Sequence, residues 1–158
     1  QRAKIEEFVQ RASSAGGAVV CGGKRVEHLP GHFMQPTIVA DVAPDSEIVQ
    51  NEVFGPVLVV QSFDDPEEAV LLANGTDYGL CSGVHTTDLQ LAHWTADRLI
   101  AGQVFVNEWF AGGVETPFGG TKRSGFGREK GQEALLGYVQ TKNVAIRVSG
   151  PGTGRPGG

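Results

Sequence analysis

Residues 57–73 read Val-Leu-Val-Val-Gln-Ser-Phe-Asp-Asp-Pro-Glu-Glu-Ala-Val-Leu-Leu-Ala, and they predict a strand that runs directly into a helix. The mostly apolar run 57–63 is typical of a buried strand. Asp65 is suited to cap the helix and Pro66 to occupy its first turn, and Glu68 follows the cap at the spacing of a capping box. The stretch therefore specifies one strand-helix unit.

The alternation of strand and helix repeats in the residues that follow. We expect a strand at 81–84, a helix at 88–99 and a strand at 104–106. Such alternation predicts an α/β fold with an open, mostly parallel sheet flanked by helices. With 158 residues and 40% hydrophobic side chains, the chain can bury one sizeable core.

The outer segments carry weaker patterns. Ahead of the first unit, the sequence predicts a surface helix at 1–15, a short buried strand at 18–21, an extended piece at 35–39 and a helical turn at 46–50. Behind the last strand, it predicts a helix at 128–136 and a strand at 142–148 with one apolar face, and the tail 150–158, rich in Gly and Pro, is expected to be disordered.

Composition narrows the class of protein. The net charge of −5 is mild and apolar runs are short, so we expect no nucleic-acid partner and no membrane span, and a cytoplasmic location. Cys21 and Cys81 stand in apolar stretches and are predicted to be buried, reduced thiols. His28 and His32 flank Pro30-Gly31, which prevents the helix that would bring both rings to a metal, so we predict no metal site.

Two loops have the composition of a binding site. Residues 115–131, Glu-Thr-Pro-Phe-Gly-Gly-Thr-Lys-Arg-Ser-Gly-Phe-Gly-Arg-Glu-Lys-Gly, form a glycine loop where a ligand or another chain could approach the backbone closely. In the loop 52–57, Glu52 could accept hydrogen bonds from a ribose diol beside the flat ring of Phe54. The alternative is that Glu52 is a solvated helix end and Phe54 a core residue.

Four motifs stand in order over about 80 residues: Glu52-Val-Phe-Gly-Pro-Val, Ala73-Asn-Gly-Thr-Asp-Tyr-Gly-Leu, Gly102-Gln-Val-Phe-Val-Asn and Pro117-Phe-Gly-Gly-Thr-Lys-Arg-Ser-Gly-Phe-Gly-Arg-Glu. Together they resemble the C-terminal third of the NAD(P)-dependent aldehyde dehydrogenase superfamily. The resemblance implies that residues 1–140 are the C-terminal portion of a catalytic domain. It also implies that residues 141–149 are a strand that joins subunits into a homo-dimer or tetramer.

The same resemblance implies roles for individual residues. Glu52 would bind the nicotinamide ribose of NAD or NADP, and Phe54 would pack near the nicotinamide. Gln1 and Lys4 are weaker candidates for the same ribose, with a solvated helix face as the alternative. A second group, which would line the aldehyde tunnel or instead be ordinary core aromatics, comprises Trp109, Phe110 and Phe118.

The resemblance also implies what this chain lacks. In such enzymes a Cys thiolate attacks the aldehyde, and the resulting thiohemiacetal gives a hydride to the coenzyme and leaves a thioester for hydrolysis. The matching nucleophile and general-base Glu would precede residue 1, so we expect no catalytic residue here and no turnover by this chain alone. The whole enzyme would oxidise an aldehyde to a carboxylic acid. Trp109, Phe110 and Phe118 favour an apolar or aromatic aldehyde, whereas Glu108 and Glu115 leave a cationic one open. The alternative is a non-catalytic assembly module derived from such an enzyme.

Overall fold

The computed structural model describes residues 1–148, and its first 63 residues, which we call the first half, build a small sheet against a helix. This half contains α1 Arg2–Ser14, β1 Ala18–Cys21, β2 Thr37–Ala40, α2 Glu47–Gln50 and β3 Val57–Val59. The sheet order is β1-β2-β3, with β1 antiparallel and β3 parallel to the central strand. The predicted helices and strands are present, although β3 is shorter than the expected 57–63.

The core of the first half lies between α1, α2 and the central strand. Ala12, Val39 and Ile48 are buried together, and valines from β3, from α2 and from the loops around α2 pack against them. Ile5 and Val9 place a second part of the α1 apolar face in the interior. The strand at 18–21 is not buried as predicted, because it is an edge strand whose side chains are mostly exposed.

Residues 64–148, the second half, contain the remaining elements: α3 Pro66–Asn74, β4 Tyr78–Gly79, β5 Cys81–Val84, α4 Leu89–Arg98, β6 Gln103–Val106, β7 Thr121–Lys122 and a 3-10 helix Glu133–Tyr138. Strands β5 and β6 pair in parallel, whereas β4 and β7 pair antiparallel. The predicted α/β class and its parallel pairs are confirmed. Within residues 1–148, however, the strands lie in three small sheets rather than one.

The start of α3 follows the capping signals in the sequence. The Asp65 carboxylate accepts a hydrogen bond of 2.8 Å from the backbone N–H of Glu68. The Glu68 carboxylate reaches back and accepts one of 2.8 Å from the N–H of Asp64, one residue before the cap. Two N–H groups at the helix entry are thereby satisfied.

The helix predicted at 128–136 is wrong. Lys130 and Gly131 have φ values of 60° and 59°, which end any helix that begins before them. Glu129 instead pairs with Phe118 through two backbone hydrogen bonds of 2.6 and 2.7 Å. Only the 3-10 helix that begins at Glu133 remains of the predicted element.

The segment 141–148 has no strand partner in the described part of this chain. Val144, Ile146 and Val148 are exposed, with their apolar side chains on alternating positions. Pairing of this segment with another subunit therefore remains a prediction, and the expected tail 150–158 lies outside the described residues. Among the helices of residues 1–148, none has the length and apolar character needed to cross a bilayer.

Candidate functional site

A cleft of about 480 Å³ lies between the two halves of the chain. One wall comes from the end of α2 and the residues after it, which include Asn51 and Glu52. The facing wall comes from the end of α3, from β5, and from the loop that carries Trp109 and Phe110. The structure therefore brings Glu52, the residue predicted to bind the ribose, to the same site as two residues predicted to line the tunnel, Trp109 and Phe110.

Glu52 is exposed at the mouth of this cleft. The helix α2 ends at Gln50, and Asn51 has an extended backbone with φ −117° and ψ 141°, while buried Ile48 anchors the preceding turn. Within residues 1–148 the Glu52 carboxylate forms neither an ion pair nor a hydrogen bond with another side chain. Its oxygens are therefore free to accept hydrogen bonds from a ligand.

Phe54 is presented outward on the same loop. Its backbone has φ 57°, and its side chain is 72% exposed, so it does not serve as a core residue in this chain. The Gln1 side-chain amide donates a hydrogen bond of 3.1 Å to the Phe54 carbonyl and ties the start of α1 to the loop. Lys4 lies one turn further along α1 and is exposed. Phe54 on the loop and Gln1 and Lys4 at the start of α1 do not line the cleft.

The predicted tunnel residues form one aromatic cluster with a buried partner. Phe105, on β6, lies 5.3 Å from Trp109 and 5.9 Å from Phe110 between ring centroids. Trp109 and Phe110 meet edge to face at 5.7 Å, and Phe110 stacks on Phe118 at 6.5 Å. These geometries lie within the range that favours aromatic pairs. Trp109 and Phe110 are still 58% and 62% exposed, so their outer faces can contact a substrate.

The glycine loop holds Phe118 against the end of the cluster. The Gln103 side-chain amide donates a hydrogen bond of 2.8 Å to the Pro117 carbonyl. Gly102 passes so close to the Gly119 carbonyl oxygen that a Cβ at Gly102 would collide with it. The absence of a side chain is thus required where the loop crosses the start of β6.

Comparison with known proteins decides the family. The model of the aldehyde dehydrogenase family matches residues 1–144. The chain belongs to the aldehyde dehydrogenase family.

Similar aldehyde dehydrogenases are known from fungi, bacteria and plants. An Aspergillus niger aldehyde dehydrogenase is 44% identical over 145 residues, and the chloroplastic betaine aldehyde dehydrogenase of Beta vulgaris is 44% identical over 147 residues. A solved betaine aldehyde dehydrogenase from Staphylococcus aureus has a TM-score of 0.86 at 38% identity, over 89% of this chain and 29% of that chain. Each of the two sequence matches includes 92% of this chain but only 29% of the relative's length. The chain therefore spans less than a third of the length of these relatives.

The two cysteines of this aldehyde dehydrogenase chain differ from the sequence prediction. The sequence predicts a buried Cys21, but this residue is exposed on the edge strand β1. Cys81 is partly buried and lines the cleft. Burial raises the pKa of the Cys81 thiol above its ordinary value, so less of it is thiolate at neutral pH than in a free cysteine.

Sequence reasoning also missed residues that shape the cleft from behind. The Lys122 ammonium donates hydrogen bonds of 2.9 Å to the carbonyls of Asn74 and Thr76, at the end of α3. The Asn74 side-chain amide in turn donates a hydrogen bond of 2.8 Å to the Arg98 carbonyl and accepts one of 2.7 Å from the N–H of Ile100. A basic cluster in a glycine-rich segment is typical of a solvated surface, and only the fold shows that Lys122 satisfies a helix C-terminus.

Proposed function

We propose that this chain is part of an NAD(P)-dependent aldehyde dehydrogenase that oxidises an aldehyde to a carboxylic acid. In that enzyme, the Glu52 carboxylate binds the hydroxyls of the nicotinamide ribose. Trp109, Phe110 and Phe118 form an apolar wall for the substrate. Family membership supports the reaction type, and the relatives with solved structures include a Staphylococcus aureus betaine aldehyde dehydrogenase in complex with NAD+.

One observation carries the proposal: Glu52, Trp109 and Phe110 line the same cleft. An ionised carboxylate only accepts hydrogen bonds, and its two oxygens suit two neighbouring hydroxyl donors. Aromatic side chains exclude water and offer flat faces to an apolar body. A coenzyme bound by the carboxylate would supply the hydride acceptor for the reaction.

The other candidates for coenzyme binding take supporting roles in this proposal. Phe54 offers an exposed ring beside the nicotinamide, because its backbone turns the side chain outward. Gln1 holds the Phe54 carbonyl and so positions the loop. Lys4 is exposed on the same helix and adds a positive charge near an anionic coenzyme.

Neither cysteine serves as the nucleophile in this proposal. Cys21 lies on the edge strand β1 and does not line the cleft, and Cys81 has a thiol whose pKa is raised by burial. An attacking thiol needs the opposite shift. We therefore propose that other residues of the whole enzyme provide the nucleophilic Cys and the general-base Glu. The chain alone would then be inactive.

Assembly is a second, compatible role. Val144, Ile146 and Val148 alternate along the segment 141–148 and are exposed in the single chain. A strand with one apolar face and unpaired backbone groups can pair with the sheet of another copy. We propose that this segment joins subunits into a homo-dimer or tetramer.

The kinetic test replaces Glu52 by Gln in the full-length enzyme, because this keeps the size of the side chain and removes its charge. The expected result is hydride transfer slowed by about 10- to 100-fold through loose nicotinamide placement, with the melting temperature unchanged. Glu67→Gln is the matched control, since Glu67 is an exposed carboxylate on α3 away from the cleft. Equal rates for wild type and Glu52→Gln would overturn the coenzyme role.

A further inference from the structure

The two halves that form the cleft have one hydrogen bond between them. The Gln50 side-chain nitrogen donates to the Gly75 carbonyl at 3.0 Å, from the end of α2 to the end of α3. Every other side-chain and interstrand hydrogen bond described within residues 1–148 stays inside residues 1–63 or inside 64–148. The polar connection across the site therefore depends on this one amide.

The same amide makes a second hydrogen bond. It donates to the Pro44 carbonyl at 2.7 Å, in the loop that precedes α2. Both partners are carbonyl oxygens, so the nitrogen of the amide must face them, and both of its N–H groups are used. An amide that makes two hydrogen bonds, on a partly buried side chain, has little rotational freedom left.

This fixed amide stands next to the parts of the cleft that must be aligned. Gln50 precedes Glu52 by two residues, while buried Ile48 anchors the same short helix in the core. On the other side, Gly75 lies between Ala73 and Thr76, which both line the cleft. The bond thus links the wall that carries the carboxylate to the wall that leads into the aromatic cluster.

We propose that Gln50 is a positioning residue that sets the distance between the Glu52 wall and the aromatic wall of the cleft. It does so by holding the end of α2 against the turn after α3, without touching coenzyme or substrate itself. This inference rests on the proposed coenzyme role of Glu52. Losing the bond lets the carboxylate move relative to the aldehyde site, and a misplacement of about 1 Å can cost about 100-fold in rate.

The test uses three single variants of the full-length enzyme. Gln50→Met keeps the length of the side chain and removes both donors, and we expect hydride transfer to fall by about 10-fold or more, with a raised KM for coenzyme. Gln50→Lys keeps a donor that can reach both carbonyls, and it should restore the rate to within about threefold of wild type. Gln61→Met is the control, because the Gln61 amide bonds only the Val42 carbonyl, at 3.4 Å, within the first half.

A double variant separates positioning from general destabilisation. If Gln50 acts through Glu52, then Gln50→Met should slow hydride transfer much less in a Glu52→Gln background than in wild type. Equal effects in both backgrounds, or a Gln50→Met rate equal to that of wild type, overturn the inference. The shorter Gln50→Asn, which withdraws the amide from Gly75, takes the place of Gln50→Met if that variant does not fold.

The two proposals fail in different ways. A normal rate in Glu52→Gln alone overturns the coenzyme role and, with it, the reason for positioning that residue. A slow Glu52→Gln together with a normal Gln50→Met overturns only the inference about Gln50.

Discussion

Phe110→Ala in the full-length enzyme is the perturbation whose size follows most directly from the structure. Phe110 takes part in three of the four close aromatic pairs, with Phe105 at 5.9 Å, Trp109 at 5.7 Å and Phe118 at 6.5 Å. Such a pair contributes about 0.5–1.5 kcal/mol beyond its buried area. Because the ring is 62% exposed, the lower value of about 0.5 kcal/mol applies to each of the three pairs. Removal of the ring should therefore cost about 1.5 kcal/mol of interaction energy within the aromatic cluster.

Losing these contacts should weaken substrate binding, since Trp109 and Phe118 would no longer be held in one arrangement. A loss of about 1.4 kcal/mol corresponds to about tenfold, so kcat/KM for an aromatic aldehyde should fall by up to about tenfold. The backbone of Phe110 has φ 59°, and Ala keeps the same conformational strain, which leaves the ring as the main difference.

Phe126→Ala is the matched control, because Phe126 belongs to the glycine loop but is fully exposed. Steady-state kinetics with an aromatic and a short aliphatic aldehyde measure both variants. We expect Phe126→Ala to match wild type with either aldehyde. If Phe110→Ala and Phe126→Ala lower kcat/KM equally, or if neither lowers it, the aromatic cluster does not form the substrate wall.

Three further changes test the site and the fold. Cys81→Ser should keep at least about half of kcat in steady-state assays, because its thiol is shifted away from the thiolate, and an inactive, folded variant would make Cys81 the nucleophile. Asp65→Ala should lower the free energy of unfolding by about 1 kcal/mol in urea titrations, whereas Glu67→Ala on the same first turn should change it by less than about 0.5 kcal/mol. Hydrogen bonding from Arg11 lowers the pKa of Glu47, so this pair stabilises the fold above the ordinary carboxylate pKa and loses that effect as pH falls through the lowered value. Melting temperature against pH should therefore fall less steeply on the acid side for Glu47→Gln than for wild type, and parallel curves would contradict the assignment.

Local signals in the sequence account for much of the fold. The start of α3 could be predicted because Asp65, Pro66 and Glu68 act on backbone groups within a few residues of themselves. The apolar face of α1 likewise repeats at helical spacing, and Ile5 and Val9 are buried as that spacing requires. Such features depend on neighbours in the chain, which the sequence displays directly.

Features that depend on distant partners could not be predicted in the same way. The apolar strand 18–21 is exposed because it lies at a sheet edge, and edge position is a property of the whole sheet. The helix expected at 128–136 is interrupted at Lys130, which has a positive φ directly after Glu129, the residue that pairs with Phe118. Periodicity contains no information about either contact.

The site shows the same division. Glu52 and the aromatic residues were identifiable because their residue types, in loops with unusual composition, suit ribose and apolar ligands. Gln50 could not be identified in this way, because its proposed role depends on a hydrogen bond to a carbonyl 25 residues away. A Gln at the end of a helix gives no sequence signal of such a contact. The sequence predicts Cys81 in the interior, whereas the structure places it in the cleft lining. An apolar strand does not show which of its sides faces a cleft.

The most direct test of the central claim measures coenzyme affinity instead of turnover. Dissociation constants of the full-length enzyme are compared for the normal coenzyme and for an analogue that lacks one hydroxyl of the nicotinamide ribose. If Glu52 binds that diol, removing the hydroxyl should weaken binding by about tenfold in wild type and leave binding to Glu52→Gln nearly unchanged. An equal loss of affinity in both proteins would mean that another group holds the ribose.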